Sequence, residues 1–378
     1  MKTPWKRIVI LLTLGTVALG VWLFLNSPQF GALPKGAHLE RIQKSPHYGD
    51  GSFHNLLPTQ TLTDGSGFIG ALLQSFFLKK DNPVPPGPVP AVKTSLKSLN
   101  RDTDIVIWLG HSSFFIQLGG KRILIDPVLS DHAAPVSFST RAFPGSNPYT
   151  PNDLPEIDAL LISHDHWDHL DYPTLTALRP HIRQVFCGLG VGAHLQRWGF
   201  AESIIHEGDW GARETLDDLT IYFTPARHFS GRSLTRDKTL WVGFVVESPQ
   251  RRIFYSGDSG YSPHFANLGK QFGRFDLALL ECGQYDKRWS LIHMMPEETA
   301  KAADDLHAAI LLPAHSGKFS IAYHSWDEPY RRLTAASLDK NWRLVTPIIG
   351  EPLILSTTLE ANTKGNPVSR WWNSLQSQ

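Results

Sequence analysis

The chain is short of cysteine, methionine and charge. Among 378 residues there are two cysteines and three methionines, and charged residues make up 19%. One disulfide is the most that two cysteines allow, so a disulfide-stapled scaffold is excluded. Cys187 and Cys282 both fall in apolar, strand-like stretches, away from any cluster of other ligand types. They read as buried free thiols. Net charge is only +1 and no long basic run occurs, so the electrostatic footprint of a nucleic-acid binder is missing. No repeat with a period of 20 to 50 residues is evident, which argues against a solenoid. A hydrophobic content of 42% over this length suits one large globular domain with additions, or two domains.

Histidine is plentiful, at 17 residues, and its placement is uneven. Residues 160–171 read Leu-Leu-Ile-Ser-His-Asp-His-Trp-Asp-His-Leu-Asp. The apolar run Ile157 to Ile162 has the length of a buried strand. His164, His166, Asp168 and His169 follow at once. Alternate residues of an extended chain share a face, so His164 and His166 point the same way, and Asp168 and His169 follow as the chain turns. Imidazole and carboxylate together suit zinc, which takes about four ligands. This many ligand groups exceed the needs of one tetrahedral ion with a water, so two adjacent ions fit better. The competing reading is a surface loop that happens to be rich in His and Asp.

The pattern H-x-H-x-D-H resembles the metallo-β-lactamase fold superfamily. Further motifs occur in the order seen in one branch: Trp108-Leu109-Gly110-His111-Ser112-Ser113, Asp126-Pro127, Gly257-Asp258-Ser259-Gly260-Tyr261, His293-Met294-Met295-Pro296-Glu297-Glu298 and His315-Ser316-Gly317-Lys318-Phe319. That branch holds the N-acylphosphatidylethanolamine-hydrolysing phospholipase D enzymes and related bacterial membrane-associated hydrolases. The resemblance spans about residues 100 to 356. It implies an α/β four-layer αβ/βα sandwich, two mixed sheets face to face with helices outside. It also implies two metal sites. His228 joins His164 and His166 on one ion, His315 joins Asp168 and His169 on the other, and Asp258 bridges them. Asp168, Asp258 and His293 are then expected to carry the chemistry. Flavodiiron relatives usually carry Glu where this chain has His166, which favours two Zn2+ ions and hydrolysis over iron redox chemistry. Mn2+ and Fe remain open, because site affinity alone does not select the metal.

Two ions about 3.5–4 Å apart activate a shared water, orient it and neutralise charge on a phosphodiester. His293, just before a helix start with Pro296, Glu297 and Glu298, reads either as a capping histidine or as a phosphate contact and proton donor to the leaving group. His111 and Asp126 read as groups that orient ligands by hydrogen bonds. His324 matches a family histidine without an assigned role.

Residues 8–25 carry no charge and follow Lys2, Lys6 and Arg7. About 18 apolar residues suffice to span a bilayer, and the basic flank would keep the amino terminus in the cytoplasm, with the catalytic part on the far side, periplasmic in a bacterium. A cleaved signal peptide, with Ala18-Leu19-Gly20 as its site, is the competing reading. The expected division is an anchor or signal at 1–27, an arm at 28–99, the hydrolase domain at 100–356 and a tail at 357–378. Within the arm, Phe68, Ile69, Leu72, Leu73, Phe76 and Phe77 follow helical spacing over 66–80. That helix either packs on the domain or lies in the membrane interface. Asn82 to Pro90 reads as a stiff linker or a draped segment. Trp371-Trp372 reads as surface or disordered.

The leading expectation is a membrane-anchored dinuclear zinc hydrolase that cleaves a phospholipid phosphodiester, N-acylphosphatidylethanolamine giving N-acylethanolamine and phosphatidic acid. Its partners are then a lipid substrate and the membrane, with no nucleic acid and the oligomeric state open. The alternatives are a lactonase or other hydrolase on the same fold, and a non-catalytic envelope protein that binds metal or lipid.

Overall fold

The computed structural model describes residues 4–65, 67, 70, 80–360 and 369–376. The helix expected over 66–80 lies almost wholly outside them. Helix α1 (Pro4–Leu25) is continuous, and its stretch Trp5–Leu25 has a mean hydropathy of 2.5 with none of it buried against the rest of the chain. It is long and apolar enough to cross a membrane. Thr13 and Thr16 each donate to the carbonyl four residues back, at 2.9 Å, so their hydroxyls are satisfied within the helix.

The domain is built on two seven-stranded sheets. The first contains β3 (Ile105–Trp108), β4 (Phe114–Leu118), β5 (Lys121–Ile125), β6 (Ile157–Ile162), β7 (Ile182–Gly188), β8 (Ile205–Gly208) and the late strand β16 (Pro352–Ile354), after the hairpin β1 (Tyr48–Gly49) and β2 (Ser52–Phe53). The second contains β9 (Arg213–Leu216), β10 (Leu219–Thr224), β11 (Gly243–Glu247), β12 (Arg252–Tyr255), β13 (Leu277–Glu281), β14 (Ile310–Ala314) and β15 (Arg343–Leu344). Strand β6 shows why they stack. Ala159 and Leu161 join one core with Ile221, Phe244, Ile253 and Leu279 of the other sheet. Leu160 and Ile162 face the opposite way, onto Leu175, Leu178 and Leu195 of helices 172–178 and 192–197. The second sheet likewise turns Phe254, Ala278 and Leu311 onto helices 264–272, 296–305 and 328–336 through Phe265, Ala303 and Leu333. This is the four-layer αβ/βα sandwich that the motifs imply.

The strand directions decide where a site can form. β5, β6 and β7 run parallel, as do β12, β13 and β14. β3 and β10 share those directions through antiparallel neighbours. The carboxyl ends of these strands therefore meet along one edge of the sandwich.

Several expectations need correction. The first part of the arm, residues 28–65, is not extended: Phe30, Ile42 and Phe53 are buried, and the segment forms helix α2 (Ala37–Ile42) and the β1–β2 hairpin. The proline-rich stretch is draped rather than spanning, with Val89 buried and its N–H donating to Pro144 O at 2.7 Å. The helix Glu328–Ala336 begins where Pro329 sets its first turn. Trp371 and Trp372 are not surface residues. Both are buried, Trp372 stacking on Tyr330 at 4.9 Å and Trp371 lying 6.5 Å from Trp108. Paired indoles bury a large apolar area, and Tyr330 offers a flat face to receive it.

Candidate metal centre

Each candidate ligand sits just beyond a strand end. His164 and His166 follow β6, His228 follows β10, Asp258 follows β12 and His315 follows β14. The topology collects them at the shared edge. His111, Asp126 and His315 all have positive φ, at 54°, 40° and 64°. Non-glycine residues in that region are held there against a local cost, which is common at functional sites. His111 and His315 support each other: His111 N donates to Ser316 O and His315 N to His111 O, both at 3.1 Å.

The first cluster is His164, His166 and His228 with Asp258. His228 Nδ1 donates to the Ile292 carbonyl at 3.0 Å, which leaves the Nε2 lone pair facing inward. Nε2 of His164 and Nε2 of His228 approach His166 Nδ1 to 2.8 and 3.2 Å. Three imidazole nitrogens converging this closely fit a shared cation better than a ring of hydrogen bonds.

The second cluster is Asp168, His169 and His315 with His111. His111 Nε2 lies 2.8 Å from Asp168 Oδ2 and orients that carboxylate. Asp258 stands between the clusters. Its Oδ2 is 3.2 Å from His169 Nε2 and 3.8 Å from both His164 Nε2 and His228 Nε2, while Oδ1 is 3.2 Å from His315 Nδ1. His169 Nε2 and Asp258 Oδ1 are buried and make no conventional hydrogen bond. Unsatisfied atoms of this kind are what a bound ion would satisfy.

The electrostatics point the same way. Burial pushes His164, His228 and His315 well below the ordinary histidine range, and the neighbouring imidazoles add to it. Burial also brings His166 down to about 4, despite Asp165 and Asp168. These four are neutral and able to offer lone pairs. Burial would lower His169 as well, but Asp258, Asp168 and Asp126 outweigh it and hold its pKa well above the ordinary value. The carboxylates thus demand a positive charge, which the His169 proton meets and a metal would take over.

A layer behind the ligands holds them in place. Asp126 accepts from Ser163 N at 2.8 Å, from Ser163 Oγ, and from Tyr255 OH at 2.6 Å. Asp165 points away from the clusters, accepting from Gly231 N at 2.7 Å and Thr239 Oγ1 at 3.0 Å, which ties the His228 loop to the metal loop.

His293 completes the edge. It lies within ligand range of Asp258 and His315, and its ring stacks on His315 at 5.3 Å. Its Nδ1 is 2.5 Å from Glu281 Oε1, while Glu281 Oε2 accepts from Ser259 N. Burial and the Asp258 charge raise Glu281 well above the usual carboxylate range, while burial lowers His293 despite Asp258 and Asp168, so a proton held by Glu281 faces His293 Nδ1 across the 2.5 Å contact. On its open side His293 lines a cavity of about 390 Å3 with Leu62, Phe229, Trp289, Ile292 and Ile321, and with Arg236 at its rim.

All seven expected ligands and His293 come together. His324 does not; it stacks on Tyr285 at 4.4 Å. Glu281 and Arg232 are additions that sequence reasoning misses. Glu281 carries a faint signal, a carboxylate ending the apolar run Leu277 to Leu280, the same form as Asp126 after β5. Arg232 carries none.

A family model described as a β-lactamase superfamily domain matches residues 121–316. An uncharacterized protein of Mycobacterium tuberculosis is 36% identical over 356 residues, covering 91% of this chain and 95% of that protein. The N-acyl-phosphatidylethanolamine-hydrolyzing phospholipase D 1 of Caenorhabditis elegans is 31% identical over 226 residues, 56% of this chain and 63% of that one. Among solved structures, an isothiocyanate hydrolase from Delia radicum gut bacteria superposes with a TM-score of 0.54 at 22% identity, over 66% of this chain and 98% of that one. At that identity the likeness speaks for the fold alone.

Proposed function

The chain belongs to the β-lactamase superfamily, and from that premise we propose that it is a dinuclear zinc hydrolase of phospholipid phosphodiesters, of the phospholipase D type. The observation that carries the proposal is the double position of His293, beside Asp258 and His315 on one side and on the wall of the apolar cavity on the other. A substrate whose chains lie along Phe229, Trp289 and Ile292 would present its polar linkage to the ligand clusters. Arg236, at the rim, adds a cation suited to phosphate.

The two histidine-rich clusters suit zinc more than harder cations, since nitrogen donors outnumber carboxylates. When bound, the ions would supply Lewis acidity and an activated water. The remaining work falls to the chain. Asp258 sets the spacing of the two clusters. His111 and Asp126 fix Asp168 and His169. His293, backed by Glu281, gives its proton to the departing alkoxide oxygen. For N-acylphosphatidylethanolamine a water oxygen bonds to phosphorus, the bond from phosphorus to the ethanolamine oxygen breaks, and the products are N-acylethanolamine and phosphatidic acid. α1 is proposed as the anchor that keeps the domain at the lipid surface, with the basic residues Lys6 and Arg7 on the cytoplasmic side.

The test is incubation of the zinc-loaded full chain with an extracted lipid mixture and with a lactone panel, the products followed by mass spectrometry. Release of N-acylethanolamine, abolished in Asp258→Asn, is the expected result. Opening of lactones with no change in any phospholipid would assign the site to another substrate class, and zinc binding without turnover on either set would mark a non-catalytic protein.

A further inference from the structure

Directly after α1, the residues Pro28 to Ala32 make four contacts behind the metal loop, one to the loop itself and three to residues packed against it. Trp198 Nε1 donates to Pro28 O at 2.7 Å, and Arg232 donates to Gln29 O at 2.9 Å. The Phe30 ring meets Trp167 edge-on at 5.1 Å, and Ala32 N donates to His194 Nδ1 at 3.1 Å. None of these strap residues is a ligand.

Their partners are the groups that shape the loop. Trp167 lies between His166 and Asp168 in sequence, and the Arg232 guanidinium lies 4.1 Å from its ring centre. Arg232 is buried and also donates to Asp165 O at 2.8 Å, Leu170 O at 2.7 Å and His166 O at 3.3 Å. One planar donor therefore ties the strap to three carbonyls of the metal loop. His194 makes a second link. Its Nδ1 accepts from Ala32, so its Nε2 carries the proton and donates to Asp165 Oδ2 at 3.2 Å. Asp165 in turn holds Gly231 and Thr239, on the loop that carries His228.

We infer that the strap Pro28–Ala32 is part of the metal centre and sets its metal affinity from behind. Metal affinity depends on groups that fix the ligands' orientation, and losing such a group costs about 10- to 100-fold. The strap also joins the centre to the apolar helix. The Phe24 ring, in the last turn of α1, packs on Phe30 at 5.1 Å, and Phe30 packs on Trp167. The domain is clamped to the helix end at the metal loop itself.

Two glycines give a controlled test. Gly31 and Gly36 both have positive φ, at 69° and 55°, so alanine strains the backbone at each. A Cβ on Gly31 would stand 2.0 Å from His194 Nδ1, whereas one on Gly36 would meet nothing within 4 Å. Only Gly31→Ala disturbs the His194–Asp165 link. The full chain in detergent, as wild type, Gly31→Ala, Gly36→Ala and Phe30→Ala, is titrated with Zn2+ against a chromophoric chelator. Thermal melting of the zinc-free forms is measured alongside. Gly31→Ala and Phe30→Ala are expected to bind zinc about 10- to 100-fold more weakly, and Gly36→Ala to match wild type. Any loss of melting temperature common to both glycine variants reads the backbone strain alone. Should Gly31→Ala not fold, Phe30→Ala decides. The inference rests on the two-metal reading: a wild type that takes up no zinc sinks both, while equal affinity in all four proteins sinks the strap alone.

Discussion

Asp126 Oδ2 lies 2.8 Å from His169 Nδ1, and both side chains are wholly shut off from solvent. The same carboxylate gathers Ser163 and Tyr255, so it fixes the position and the proton of a proposed ligand at once. Asp126→Asn keeps the shape and removes the charge. Zinc affinity of the second cluster is expected to fall about 10- to 100-fold, read by chelator competition. Unchanged affinity would mean that Asp126 serves only packing.

The Glu281–His293 pair predicts a dependence on the leaving group. His293→Ala should lower kcat on an alkoxide-releasing phosphodiester by about 100- to 10,000-fold, the usual worth of a placed acid. It should cost far less on a p-nitrophenyl ester, whose phenolate leaves without a proton. Glu281→Gln should show the same asymmetry, more weakly. Equal losses on both substrates would remove the proton-donor role.

Much of this centre is legible in the sequence because strand and ligand are contiguous along the chain. The apolar run Ile157 to Ile162 announces the edge, and His164 to His169 announce the chemistry. Where a contact depends on two remote segments, the signal fades. Residues 26–65 have no periodicity because Phe30, Ile42 and Phe53 are buried at irregular intervals along the chain, so nothing marks Phe30 as the partner of Trp167. Strand β9, Arg213–Leu216, lacks an apolar alternation because its outer edge faces solvent, and β15 has only two residues. Trp371 and Trp372 look like tail residues because their receiving surface, Tyr330 and Trp326, lies some forty residues back along the chain.

Those indoles make a stability prediction. Trp372 is 1% exposed and stacks on Tyr330. Trp372→Ala should cost about 3–5 kcal/mol, as for other large buried aromatics, measured by denaturant unfolding of the zinc-free protein. A loss near zero would place the tail off the domain in solution.

Lys318 gives a pH prediction. It is fully buried, with Nζ donating to Val128 O at 2.6 Å and Asn147 Oδ1 at 2.9 Å. Burial pushes its pKa from 10.5 down to about 7, with Asp171 opposing only in part. Between those values the unfolded chain holds a proton that the folded chain has released, so stability rises with pH, by up to about 1.4 kcal/mol per unit. Below about 7 both states hold the proton, and the term is flat at its full cost. Unfolding of wild type and Lys318→Met at about pH 7, 8 and 9 should show the wild type gaining on the variant as pH rises. Parallel curves would contradict it.

In the proposed centre two ions occupy two separate ligand sets that share Asp258. Elemental analysis of metal per chain tests it directly, on wild type, His228→Ala and His315→Ala. Two zinc ions are expected in the wild type and one in each variant. A single ion in the wild type would contradict it.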